Sequence, residues 1–380
     1  MKIIIAIDSY KGCLTSKEAN EAAQLGICDA LGGDAEVHCF TVSDGGEGML
    51  CAFTEAIGGS IAETMAHNAY GDTVKCQYGR SADGKTGIVE MAEASGLARL
   101  KQSPAPGDIR RASSYGTGEL IQRCIDEGCT EIVVGLGGSA TSDCGIGMLH
   151  ALGLLACESE PWALTDNWRT KLPQQLRITI ASDVTAPLCG STGAAHVFAA
   201  QKGATPADIE WLDERAKRFA EYIKKATGSD LSTASGAGAA GGVGFALLAL
   251  CQAKMESGAE LLLQKNRLDS ALENADWLIT GEGSADFQTL MGKLPAVLQC
   301  HAQVKGVHTA LLAGKVKDIE KLSRAGFDAV VCINDPTLPL EEALQPETAK
   351  RNIRLSAQNL ARSFAVGAAF ADNIDTLPKN

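Results

Sequence analysis

The 380-residue chain is 45% apolar and carries a formal charge of −12. That is enough apolar material for the cores of about two domains, and its acidity argues against nucleic acid or another polyanion as partner. The 13 cysteines form no CxxC pair and no Cys/His cluster at zinc spacing, so neither a disulfide framework nor structural zinc is expected, and the chain reads as a reduced, cytoplasmic protein.

In chain order, the apolar run 3–7 is too short for a signal peptide and reads as a buried first strand. Further strands are expected at 37–42, 132–136, 178–181, 278–280, 309–313 and 329–333. These are mostly continuous Val/Ile/Leu/Ala runs, as parallel strands buried on both faces require. A helix begins at the Thr15-x-x-Glu18 capping box, with Ala19, Ala22, Ala23, Gly26, Ile27, Ala30 and Leu31 at helical spacing. Another begins at Pro206, with Ile209, Leu212, Ala216, Phe219 and Ile223 on one face, and the tail after Pro346 forms a third with Ile353, Leu360, Phe364 and Ala368 inward. Alternation of strand and helix means an α/β fold with a mainly parallel sheet. Segments 74–80 and 85–91 break the rhythm. They flank Asp83-Gly84, a hairpin signal, and so predict a second sheet. No run reaches the roughly 18 apolar residues of a membrane span. The simplest organisation is a discontinuous domain, 1–64 plus 286–380, with residues 65–285 inserted into it.

Several polar, glycine-bearing turns follow the expected strands, where open α/β sheets bind ligands. Asp8-Ser9-Tyr10-Lys11-Gly12 follows the first strand and offers a cation and an acid. Ser43-Asp44-Gly45-Gly46-Glu47-Gly48 follows the second, with two acids beside glycines that let backbone approach a ligand. Gly137-Gly138-Ser139-Ala140-Thr141 lies between a strand and a helix expected at about 144–155, an arrangement that cradles phosphate. Asp183 follows the strand 178–181, and Lys202 lies near a later turn. In segment 277–293 an apolar run is expected to stop at a turn carrying Glu282, Asp286 and Lys293, a set suited to magnesium and phosphate. Gly236 to Gly241 matches GxGxxG, but no strand precedes it, so it is not a dinucleotide fingerprint. There is no GxxxxGK[ST] and no kinase HRD/DFG pair.

Taken together, AIDSYKG, SDGGEGM, DGKTGIVEMAEASGL, YGTGELI, GLGGSATSDCGIGMLHALG, SDVTAPLCGSTGAAHVFAAQKGA, GAGAAGGVGFALLA and TGEGSADFQTLMGKLP resemble the type I glycerate kinases in content and order. The resemblance implies a doubly wound, flavodoxin-like parallel-sheet domain with a second α/β domain inserted into it and an active site in the cleft between them. It implies phosphorylation of D-glycerate by ATP and magnesium, with 2-phosphoglycerate as product. On that reading Gly137, Gly138, Ser139, Gly241, Gly242 and Lys202 receive the nucleotide. Asp8, Ser9, Asp44, Gly45 and Glu47 bind substrate. Asp183 and Glu282 hold the metal, and Asp183, Asp286, Lys11 and Lys293 serve catalysis. The oligomeric state is left open. The sequence departs from the family at Ser284, where Arg is usual, and Ser cannot replace that charge. Two alternatives therefore stay open: a kinase for another small hydroxy acid or sugar acid, and a weakly active or non-catalytic metabolite-binding homologue.

Overall fold

The computed structural model describes every residue except Asp44, Glu47, 101–107 and 375–380, and the side chains of Leu100 and 365–374 are also outside the described set. Its strands are β1 (Lys2–Ile7), β2 (Glu36–Cys39), β3 (Ser60–His67), β4 (Thr73–Arg80), β5 (Thr86–Glu90), β6 (Glu131–Gly135), β7 (Arg177–Ala181), β8 (Lys254–Glu256), β9 (Trp277–Ala285), β10 (His308–Val316) and β11 (Ala329–Cys332). They belong to two units, one made of residues 1–43 and 262–380, the other of residues 44–261.

The first unit holds a five-stranded sheet in the order β11-β10-β9-β1-β2, with every neighbouring pair parallel. Counted along the chain within this unit, the order is the 2-1-3-4-5 of flavodoxin-like sheets, which reverses between β1 and β9. Both faces are covered. Ala310 and Leu312 pack with Ile3, Ile5 and Ile7 and with the helices Ser16–Leu31 and Pro346–Ile374. Leu311 and Ala313 pack with Leu322 and Phe327. The helix Ser16–Leu31 starts at the expected capping box, Thr15 with Glu18, and buries Ala19, Ala22, Ala23, Gly26 and Ile27.

The second unit holds a six-stranded sheet, β3-β4-β5-β6-β7-β8. β4 and β5 form the expected antiparallel hairpin, and β5, β6, β7 and β8 run parallel. The helix Pro206–Thr227 is capped by Thr205 and begins with its proline, as expected.

Three expectations differ from the structure. The breaks between units fall after residues 43 and 261, where 64 and 285 were expected. The helix Met49–Ala56 packs on β3, β4 and β5, so the chain has already entered the second sheet by that point. β9 does not stop at Thr280. It continues to Ala285 because β10 runs beside it to Val316, pairing Ala313 with Glu282 and Lys315 with Ser284. Pairing overrides a glycine-rich composition that reads as a turn. β3 and β8 were not expected. β3 is a sheet edge with mostly exposed or half-buried residues, and β8 has three residues, so neither shows a continuous apolar run.

A side chain at Gly26 would place its Cβ 2.1 Å from the Arg354 carbonyl oxygen, on the helix Pro346–Ile374. Gly26→Val should therefore cost about 1–3 kcal/mol or more through overpacking. Gly33→Ala, where a Cβ meets nothing within 4 Å, should be silent. Thermal denaturation of both variants checks this, and equal midpoints would contradict the contact.

Candidate active site

In the first unit, the reversal of strand order brings the loop after β1 against the end of β9. Asp8 N–H donates to the Gly281 carbonyl at 2.9 Å, and a Cβ on Gly283 would lie 3.8 Å from Tyr10 Cα and 3.9 Å from Lys11 N. Glycine at 281 is also a packing requirement, since a Cβ there would lie 2.3 Å from the Leu312 carbonyl oxygen. Asp8 is buried, and its Oδ1 accepts from Ser9 N–H at 2.7 Å. The Ser9 hydroxyl is buried with no hydrogen-bond partner among the described residues. An orphaned buried hydroxyl costs about 1–3 kcal/mol, which a ligand can recover.

On β9, Glu282 is only 8% exposed. Its Oε1 accepts from the Thr289 hydroxyl, and its Oε2 lies 3.3 Å from Lys293 Nζ. Burial raises its carboxyl above the usual glutamate range, with Thr289 and Lys293 opposing. Asp286 caps the short helix Phe287–Leu290. Its Oδ1 accepts from Gln288 N–H at 2.8 Å, while its own N–H donates to Thr289 Oγ1 at 3.1 Å. Thr289 thus ties the two acids together, a role that an ordinary threonine in the sequence does not announce.

In the second unit, Leu136, Gly137, Gly138 and Ser139 follow β6 and wall a pocket of about 310 Å³ with Lys202, Gln201, Val184 and Ala240. Lys202 donates to Ser139 Oγ at 2.8 Å and to the Thr141 carbonyl at 2.7 Å, and no carboxylate touches it among the described residues. Burial pushes its ammonium down to about 8, with the Asp143 carboxylate opposing. The hydroxyls of Thr141 and Ser142 are buried and have no partner among the described residues. A half-buried cation held only by neutral oxygens, among orphaned hydroxyls, suits an anion.

The helix after this loop contributes differently from the expectation. It spans only Ile146–Ala151, and Asp143 occupies its start. Asp143 accepts from Gly145 N–H, Gly147 N–H, and the N–H and hydroxyl of Ser114 at 2.8–3.1 Å. Those donors are spent on the protein, so the anion site rests on the loop and Lys202.

Gly241 and Gly242 stand behind the pocket. A Cβ on Gly241 would lie 2.2 Å from the Thr141 carbonyl oxygen, and one on Gly242 2.7 Å from Cys144 Cα. Their smallness lets the segment from 239 to 250 dock on the loop. Gly45 likewise packs on the end of β7, where its Cβ would lie 2.8 Å from the Ala181 carbonyl oxygen. Asp183 follows β7 and is exposed, next to the pocket-lining Val184. Asp44 and Glu47 lie outside the described residues. Within the first unit the structure therefore gathers Asp8, Ser9, Lys11, Glu282, Asp286 and Lys293. Within the second it gathers Gly137, Gly138, Ser139 and Lys202. Among the described residues no group of three or more His, Cys, Asp or Glu could hold a metal.

The Lys202 pocket makes a measurable prediction. Below pH 8 the ammonium is charged, and above it the charge is lost. Calorimetric affinity for inorganic triphosphate should therefore fall as pH rises through about 8. Lys202→Met should bind about 10–100-fold more weakly and lose that pH dependence. Unchanged affinity in the variant would remove Lys202 from the anion site.

Residues 3–365 match the model of the glycerate kinase family. A glycerate kinase of Halalkalibacterium halodurans is 37% identical over 92% of this chain and 97% of its own. The glycerate 2-kinase of Escherichia coli K12 is 36% identical over 97% of this chain and 99% of its own. A crystal structure assigned as glycerate kinase 2 of Salmonella typhimurium LT2 superimposes with a TM-score of 0.81 at 37% identity, covering 97% of this chain and 99% of that one. The chain belongs to the glycerate kinase family.

Proposed function

We propose that this protein transfers the γ-phosphoryl group of ATP to D-glycerate, giving 2-phosphoglycerate and ADP. The observation that carries the reading is Lys202, a half-buried cation in contact with no carboxylate among the described residues, in a pocket walled by Gly137, Gly138 and Ser139. The name of the Escherichia coli relative, glycerate 2-kinase, supports position 2 of glycerate.

Phosphoryl transfer asks the protein for positioning, charge neutralisation and an acceptor for the attacking hydroxyl's proton. In this reading the glycine loop and Lys202 hold the ATP phosphates, and Gly241 and Gly242 set the back wall. Asp8, Ser9 and Lys11 orient glycerate, and Lys293 meets the transferring group. The glycerate oxygen attacks the γ-phosphorus, the bond to the β–γ bridging oxygen breaks, and Asp286 takes the hydroxyl proton.

Magnesium, when bound, neutralises charge on the phosphates. Asp183 fits that role, being an exposed carboxylate next to the pocket lining. Glu282 does not fit, since one oxygen accepts from Thr289 and the other faces the Lys293 ammonium. We assign Glu282 instead to aiming Lys293.

Ser284 favours one second reading. It is small and exposed at the end of β9, which leaves room for a larger hydroxy acid or sugar acid, and a substrate panel with ATP separates the two.

Purified protein with ATP, magnesium and D-glycerate should yield 2-phosphoglycerate by NMR, and absence of any phosphorylated acid would sink the proposal. Asp286→Asn keeps a side-chain oxygen for capping Gln288 but cannot accept the proton. Its kcat should drop roughly 10²-fold or more with the fold retained, and a loss below about threefold would exclude the role. Protonation of Glu282 releases Lys293, so activity should decline on the acid side above the ordinary glutamate range. Glu282→Gln should lower activity and flatten that limb of the pH profile.

A further inference from the structure

β10 runs alongside β9 to its end, and Lys315 is the register partner of Ser284. Both are exposed. Nearby Lys293 is already committed to Glu282 at 3.3 Å. Lys315 differs from it, because no described residue forms a hydrogen bond or ion pair with its ammonium. The strand end it borders carries two acids, Glu282 and Asp286. An anionic substrate approaching them needs a cation that is not already neutralised.

We propose that Lys315 binds the carboxylate of the substrate, with the Ser284 hydroxyl as a second donor to the same group. Parallel strands lie about 4.8 Å apart, so one small anion can meet a donor from each. A compact, strongly hydrated ammonium suits a carboxylate at an open strand end. The assignment rests on the preceding reading that glycerate is the acceptor, and it adds the selecting contact. Lys315 makes the enzyme choose a hydroxy acid over a neutral polyol of the same size.

The test compares wild type, Lys315→Met, Lys317→Ala and the double variant Lys315→Met with Ser284→Lys. Each is assayed with ATP against D-glycerate and against glycerol. Lys315→Met should raise KM for D-glycerate about 10–100-fold with KM for ATP within twofold, and should erode the preference for glycerate over glycerol by the same factor. Ser284→Lys moves the cation one strand across and should recover at least tenfold of the loss. Lys317→Ala, two residues further along the chain and exposed, should match wild type. A glycerate KM within twofold of wild type in Lys315→Met overturns the assignment while leaving the kinase reading standing. If wild type turns over no glycerate, calorimetry with glycerate decides. Equal affinity in wild type and Lys315→Met, or no binding to either, overturns the assignment. Loss of binding in Lys315→Met alone upholds the contact while the kinase reading falls.

Discussion

The seating of β9 between β1 and β10 is the constraint on which the first unit depends. Its backbone is paired on both sides from Trp277, with Ile3 and His308, to Gly281, and then with β10 alone through to Ala285 with Val316. This places the reversal of strand order next to the loop that carries Asp8, Ser9 and Lys11. It also carries Glu282 on a paired strand, with Asp286 just beyond the strand as the cap of the helix Phe287–Leu290, rather than on a free loop. A carboxylate on a paired strand has a fixed position and a dry surrounding, and both properties favour transfer chemistry. The rise in the Glu282 carboxyl's pKa is the electrostatic signature of that dryness.

The two units solve the problem of holding charge in opposite ways. In the first, acid and base neutralise one another, with Glu282 facing Lys293 and Thr289 linking Glu282 to Asp286. In the second, Lys202 donates to a serine hydroxyl and a carbonyl while Asp143 spends its carboxylate on backbone donors. The first arrangement is self-contained, and the second leaves a cation with only neutral partners among the described residues. Glycines make the second possible. At 137 a side chain would strike Gly46 Cα at 2.3 Å, and at 241 it would strike the Thr141 carbonyl oxygen.

Much of the fold was legible because β1, β6, β7 and β10 are buried on both faces and read as unbroken apolar runs. The caps at Thr15 and Thr205 announce their helices through side-chain chemistry local to the sequence. The extent of β9 was not legible, because Gly281 and Gly283 carry turn propensity and only pairing with β10 keeps them extended. The unit boundaries shifted for a similar reason: contacts between distant segments define them. At the site, the glycine loop and the acids stood out by composition. Lys202 stood out weakly, since its contacts with Ser139 and Thr141 are a tertiary fact. Thr289, Asp143 and Lys315 are ordinary residue types whose meaning comes from register and hydrogen bonding, which no local pattern encodes.

The discontinuity of the first unit has a consequence for synthesis. Residues 44–261 form a continuous unit, whereas Ile3 has to pair with Trp277. At roughly 5–20 residues per second, β1 leaves the ribosome on the order of ten seconds or more before its neighbour β9 exists. Through that interval the run Ile3 to Ile7, wholly buried at the end, is an apolar strand with an open edge. The inserted unit can condense on its own contacts, while the sheet that holds the acids must wait for the ribosome to pass residue 277. The nascent chain is most exposed to misassembly in its first strand, and the last-made segments are the ones that protect it.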